Sequence, residues 1–195
     1  MTAGEPQFLA LGERAALGPL RRDLVAVYAG WVNDPEVKHG LMYLGIVTPE
    51  SEERWLDDAV KESSAMTPTA AHFTIHDRSD GAPVGTAALM AINHRNGTAR
   101  FGILLGERRG RGLGADAAHL VLDWGFTMLV LHNVVLDAGA WNSRALRAYE
   151  RAGFREIGRR RGALIWLGER HDEVLMDAVA TEFQGSVLRP REVTP

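Results

Sequence analysis

Leu104-Leu105-Gly106-Glu107-Arg108-Arg109-Gly110-Arg111-Gly112-Leu113-Gly114 is the stretch on which the fold turns. It leaves a run, Phe101 to Leu105, that reads as a strand. It enters Leu113, Ala117, Leu120, Val121, Trp124 and Met128, which mark one face of a long helix. Glycines between a strand and a helix let the backbone approach a ligand closely and take positive φ. The free N–H groups at the helix start, and the positive end of its dipole, then face an anion. Arg109 and Arg111 add charge that suits phosphate oxygens. The loop therefore reads as a site for a pyrophosphate or other oligophosphate. The plainer reading is a glycine-rich turn with solvated arginines.

Upstream of the loop the chain reads as hairpins. His72 to His76 is a strand, Asp80-Gly81 a turn, and Val84 to Ile92 the next strand. Asn96-Gly97 is a second turn before Phe101. Connections this short exclude parallel crossovers, so the strands are antiparallel. Further upstream, Leu20, Leu24, Val27, Tyr28 and Trp31 have helical spacing up to Pro35. Thr48-Pro49-Glu50 opens a second helix with Trp55, Leu56, Ala59 and Val60 as its buried stripe. Downstream, Val134 to Leu136 is a short buried strand. Asn142 caps a helix that runs to about Ala152 and stops at Gly153. Strands follow over roughly Phe154 to Trp166 and Val174 to Val179. The fold class is α/β (α+β), with a mixed, mostly antiparallel sheet and helices on both faces. One domain covers 1–184, and 185–195 is a polar, loosely held tail.

A rival reading starts from the same glycines. Gly110-x-Gly112-x-x-Ala115 fits a dinucleotide-binding turn, and Asp137 stands where a ribose-binding acid would. That turn normally opens a parallel βαβαβ half. Here antiparallel strands precede it, and too little chain follows to complete the sheet. The phosphate loop of nucleotide hydrolases needs Gly-Lys-Ser/Thr, which is absent.

A second segment, Asn142-Ser143-Arg144-Ala145-Leu146-Arg147-Ala148-Tyr149-Glu150-Arg151-Ala152-Gly153-Phe154, combines with the glycine loop. Together they resemble the GNAT superfamily of N-acetyltransferases, over about Leu11 to Ala180. Trp31 to Val37 and His171 to Met176 further resemble the branch that contains ribosomal-protein N-terminal acetyltransferases. That branch also acts on small amines. The resemblance implies acetyl-CoA as cofactor and a primary amine or peptide N-terminus as acceptor, with a homodimer in keeping with the family. It implies a pyrophosphate site at Arg109, Gly110, Arg111, Gly112, Leu113, Gly114 and Ala115. Leu104 and Leu105 would bind the pantetheine arm, and Asn142, Ala145 and Tyr149 would complete the cofactor site. The strand at Val134 to Ala138 would splay from the Phe101 to Leu105 strand to admit that arm.

The implied chemistry is direct attack of the amine on the thioester. It needs a deprotonated amine, a donor to the oxyanion and an acid for the leaving thiolate. Leu104 would offer the backbone N–H, and Tyr149 the acid. Asn142 can act as both helix cap and cofactor contact. Many relatives carry a Glu base on the strand before the loop, and here that position is Arg100, which cannot be a base. Arg100 is either a selector of acidic acceptors or a solvated strand residue, and Asp34, His76 or a water relay are candidate bases. Trp31 and Asn33 border the acceptor pocket in the family, although Trp31 is most simply core. A non-catalytic acyl-CoA-binding module and a nicotinamide-dependent oxidoreductase are the competing functions.

The bulk properties set outer limits. The chain has 195 residues, 46% hydrophobic and 24% charged, with a formal charge of -3. A sizeable single core is affordable at that length. The charge gives no general attraction to nucleic acid or anionic membrane. Having no cysteine excludes disulfides, thiolate nucleophiles and Cys-based metal sites. On a strand His72 and His76 stand ~13 Å apart, too far to share a metal ion. Met1 to Pro6 lacks a signal-peptide pattern and no run reaches a membrane span, so a soluble cytoplasmic protein is expected.

Overall fold

The computed structural model describes residues 7–188. Met1 to Pro6 and 189–195 lie outside them, and so does most of the expected tail. In chain order the elements are β1 (Ala10–Leu11), β2 (Ala15–Gly18), α1 (Val25–Asn33), α2 (Pro35–Leu41) and α3 (Pro49–Ser64). Then come β3 (Ala71–Asp77), β4 (Pro83–Asn93), β5 (Thr98–Leu105) and α4 (Leu113–Thr127). The chain finishes with β6 (Asn133–Gly139), α5 (Ser143–Ala152), β7 (Arg155–Trp166) and β8 (Glu169–Val179). One sheet holds all eight strands in the order β1-β2-β3-β4-β5-β6-β8-β7.

Strand alternation assigns the helices to faces. On β3, Phe73 and Ile75 join the larger core beneath α4, with Leu120, Val121, Val134 and Met176. Thr74 points the opposite way, and its Oγ1 lies 2.6 Å from the Tyr28 hydroxyl on α1. That second face buries Val25, Tyr28, Trp31, Val37, Leu56 and Leu104. Helices therefore cover both faces, as the sequence pattern predicts.

Local chemistry sets the helix ends. Thr48 caps α3 through a reciprocal box with Ser51, and Pro49 fills the first turn. Asn142 Oδ1 accepts from Ala145 N–H, and Gly153 ends α5 at φ 114°. α2 is not foreseen by helical spacing, because seven residues barely show a period. Its signals are the Asp34 cap, which accepts from Glu36 and Val37 N–H, and Pro35 behind it. The β1–β2 hairpin is also missing from the sequence reading. It is short and built on Ala15-Ala16-Leu17-Gly18.

Two expectations about burial need correcting. Trp55 and Val60 are 36% and 45% exposed, so the α3 stripe narrows to Leu56 and Ala59. The start of the tail is tied down. Ser186 Oγ donates to Oδ1 of the fully buried Asp123 at 2.5 Å, and Val187 and Leu188 N–H donate to its Oδ2. A buried carboxylate needs such donors, and the chain end supplies them.

All strand pairs are antiparallel except β5 with β6. That parallel ladder runs only through Thr98↔Asn133, Ala99↔Val134 and Arg100↔Val135. Beyond it β5 stays with β4 as far as Leu105↔Gly85, and β6 stays with β8 as far as Gly139↔Glu173. The sheet forks there, as the resemblance implies.

Candidate functional site

The fork opens a cleft of about 440 Å³ between β5, β6, α5, the glycine loop and α2. Leu104, Leu105, Arg109, Gly110, Gly112, Gly114, Ala115, Asn142, Ala145 and Tyr149 all line it. Ten of the expected cofactor-site residues thus converge. Arg111 lies instead in an adjoining hollow with Arg14 and Arg151, and Leu113 is buried in the core at 2% exposure.

The loop has the conformation its glycines allow. Gly110 and Gly112 sit at φ 86° and 82°, and Gly112 is the residue before the first turn of α4, with no side-chain cap. The first N–H groups of α4 are therefore open to an anion. Asp116, in that first turn, turns away and accepts from Arg14 and Ala15 N–H at 2.7 Å each.

Arg109 does something other than the sequence suggests. Its Nε donates to Leu105 O at 2.8 Å and its Nη2 to Gly106 O at 3.1 Å. Its Nη1 pairs with Glu36 Oε2 at 2.8 Å, and Glu36 Oε1 accepts from Arg144 at 3.0 Å. The guanidinium is a staple that holds the loop's shape and ties α2 across the cleft. Glu36 is the residue that sequence reasoning missed, and its only signal was a place in the first turn of a helix too short to see.

Ladder alternation decides which backbone groups face the cleft. Gly106 N–H donates to Val84 O at 2.9 Å. Every second residue of β5 repeats that direction, so the Leu104 amide turns to Thr86 on β4. The amides of Ile103 and Leu105 face the open edge. The Leu104 N–H expected to meet the oxyanion is therefore turned to β4 and not to the cleft, and Leu104 contributes its side chain to the α1–α3 face.

Tyr149 lies in the cleft with its ring about 6.0 Å from those of Phe101 and Phe154. Its hydroxyl has no protein hydrogen-bond partner among the described residues. Burial, and then the negative charge of Asp137, push its pKa up to about 12. Such a phenol keeps its proton at neutral pH and has it to donate. Asn142 Oδ1 is committed to the α5 cap, which leaves its amide nitrogen toward the cleft.

The expected acceptor residues are mostly committed elsewhere. Asn33 is doubly bonded to the backbone of Val47, through Nδ2 at 2.6 Å and Oδ1 at 3.0 Å. Trp31 is 6% exposed and backs Gly106, where any Cβ would strike its ring. Arg100 is bonded to Asp137 and so is not a lone solvated cation. Neither named base fits. Asp34 caps α2 and faces Arg109, with its carboxyl held low by the Val37 N–H first. His76 is buried on β3, bonded to Gly81 O, outside the cleft.

The family model described as Acetyltransferase (GNAT) domain matches residues 14–155. The chain belongs to the GNAT acetyltransferase family. Within the GNAT proteins, it is 37% identical over 89 residues to the spermidine N(1)-acetyltransferase of Escherichia coli strain K12. That match covers 41% of this chain and 48% of the relative, so the chain spans about half the length of that curated relative. An uncharacterized N-acetyltransferase p20 of Bacillus licheniformis is 24% identical over 176 residues, covering 89% of this chain and 97% of its own. The GNAT fold is shared with the crystal structure of a Vibrio cholerae spermidine N-acetyltransferase in complex with CoA and spermine. The TM-score is 0.77 at 21% identity, covering 87% of this chain and 98% of that one. The dinucleotide reading falls with the antiparallel approach of β4 and β5 to the glycine loop.

Proposed function

We propose that the protein is an acetyl-CoA-dependent N-acetyltransferase in which a primary amine attacks the thioester directly. The observation that carries this is the fork, with an open helix N-terminus at one end and, inside it, the Tyr149 hydroxyl, which has no partner among the described residues. Open N–H groups at Gly112 to Ala115 suit a pyrophosphate, and the free edge of β5 at Ile103 and Leu105 suits an amide-bearing arm. Acetyl-CoA bound there would supply the activated thioester. The chain supplies the rest: a β5 amide for the developing oxyanion, and the Tyr149 proton for the departing thiolate. The amine is the acceptor class, and the printed name of the E. coli relative makes spermidine the first member to try. A peptide N-terminus is the second. A cytoplasmic homodimer is part of the same proposal; among the described residues no helix is long and apolar enough to cross a membrane.

The test is thermal unfolding with saturating acetyl-CoA and, separately, NADH or NADPH. A ligand at a hundred times its dissociation constant adds ~2.7 kcal/mol. For a domain of this size the midpoint rises by roughly 5–10 °C. Acetyl-CoA alone is expected to do this. An amine panel follows, with Tyr149→Phe expected to lower kcat by about 10²–10⁴ while acetyl-CoA binding persists. A shift with the nicotinamides only, or acetyl-CoA binding with no product across the panel, would reject the acetyltransferase reading.

A further inference from the structure

One stretch of the chain has no part in the chemistry so far. Leu41-Met42-Tyr43-Leu44-Gly45-Ile46-Val47 leads from the end of α2 toward α3 and holds no charged residue. Its first two members, Leu41 and Met42, line the cleft. The run continues outward from there with its apolar side chains in solvent. Leu44 is 86% exposed and Ile46 84%, and Leu41 and Tyr43 are exposed as well. A contiguous apolar display of this kind on a folded chain marks a binding surface. It is held from behind. Asn33 bonds both the N–H and the C=O of Val47, and Lys38 Nζ donates to Gly45 O and lies 6.0 Å from the Tyr43 ring.

We propose that this loop receives the body of the acceptor, and that the acceptor is a monoamine on a hydrocarbon or aromatic body rather than a polyamine. This rests on the acetyltransferase reading and narrows its substrate class. The apolar run is continuous with the cleft wall, so a molecule whose nitrogen enters the cleft leaves its body against Leu44 and Ile46. Charge argues against a polyamine. Spermidine brings three nitrogens, and the two that do not react are ammonium ions near neutral pH. Each needs a carboxylate or a comparable acceptor. Two carboxylates line the cleft, Glu36 and Asp137, against four arginines, Arg109, Arg144, Arg147 and Arg151. Glu36 is shared by Arg109 and Arg144, and Asp137 is paired with Arg100. The loop outside adds no acid, and Lys38 behind it is a cation.

The surroundings also favour a body without polar groups of its own. A peptide acceptor would run outward with an N–H and a C=O at each residue, and each wants a partner. On the loop, Gly45 O and both backbone groups of Val47 are already taken. The last turn of α2, from which the loop departs, is walled by rings. His39 lies 5.0 Å from Trp166 and 5.9 Å from Trp141, and Trp141 lies 4.7 Å from His171. Both indole N–H groups are buried, with no acceptor among the described residues, so this wall is dry. A second copy of the chain fits less well, because a few side chains on one loop fall far short of the ~800 Å² per partner that a stable interface buries.

The experiment is steady-state acetylation of n-butylamine, n-hexylamine, 2-phenylethylamine and spermidine at saturating acetyl-CoA. From n-butylamine to n-hexylamine, kcat/KM is expected to rise about two- to fourfold per methylene, the gain that burying a CH₂ gives. For 2-phenylethylamine it should exceed the spermidine value by about tenfold. Leu44→Ser combined with Ile46→Ser changes two side chains that stand in solvent. It should flatten the methylene series and cut the 2-phenylethylamine to spermidine ratio about fivefold, with KM for acetyl-CoA and its thermal shift within about twofold of wild type. A flat series in wild type, or a higher kcat/KM for spermidine, overturns the assignment. So does an unaltered series in L44S/I46S. The tripeptide Leu-Gly-Gly outperforming 2-phenylethylamine overturns the choice of body. Sedimentation of the same variant adds a readout without turnover. Loss of a dimer that wild type forms would give the patch to a second copy instead. If acetyl-CoA raises no midpoint in wild type, or no amine is acetylated at all, the acetyltransferase reading itself fails and this assignment falls with it.

Discussion

Asn142 shows how one side chain can serve structure and site together. Its Oδ1 caps α5, while its amide nitrogen is left toward the cleft. Asn142→Asp keeps the acceptor and removes the donor. It should leave unfolding within about 0.5 kcal/mol of wild type, yet weaken acetyl-CoA binding, as titration calorimetry would show. Asn142→Ala should add about 1 kcal/mol of destabilisation from the lost cap. Asp77 makes a prediction about pH. Hydrogen bonds from Ser79, and then from Arg108, hold its carboxyl at about 2. An unfolded aspartate titrates near ~3.9. The unfolded chain therefore binds the proton first, and the stability Asp77 lends is complete above ~4 and lost as pH falls through about 2. Denaturant melts of wild type and Asp77→Asn should differ at pH 7 and converge only below about pH 2. Tyr149 and Asn142 were legible in the sequence because short local motifs carry them. Glu36 and the true employment of Arg109 were not, because their partners lie on elements remote in sequence.

At the scale of elements, the glycine loop is held by its own arginine. A lysine at 109 has one point charge and cannot reach Leu105 O, Gly106 O and Glu36 together. Arg109→Lys should cost about 1–3 kcal/mol through the carbonyls left unpaired. It should also loosen α2, with weaker acetyl-CoA binding although no phosphate contact is removed. Chemical melts and calorimetry on the one variant check both halves. α3, α4 and α5 could be read from caps and period, and β3 to β5 from their turn signals. α2 and the β1–β2 hairpin could not. Seven residues give no period, and Ala15-Ala16-Leu17-Gly18 lacks the β-branched residues that advertise a strand. α3 was found but its buried stripe was overdrawn, since Trp55 lies at the rim against His72 rather than beneath the sheet.

For the molecule as a whole, the sheet is two antiparallel halves meeting at one short seam. The fork was expected from resemblance and not from pattern, because nothing in the sequence of β5 says where its neighbour stops. Three residue pairs join β5 to β6, whereas β4 pairs with β5 and β6 with β8 along most of their lengths. α4 and the core beneath it carry the remaining connection. Such a seam is a natural boundary between cooperative units. β3 to β5 are closed by local turns, so this run should gain its protection early in refolding, and β6 and β8 should dock afterwards. In native-state hydrogen exchange, the β6 and β8 amides should open below the global free energy in the free protein. A ligand lodged in the fork touches both halves at once. Bound acetyl-CoA should therefore raise those slow openings toward the global limit, while leaving the β3 and β4 amides almost unchanged. The notch that admits the substrate would then also be the line along which the protein breathes.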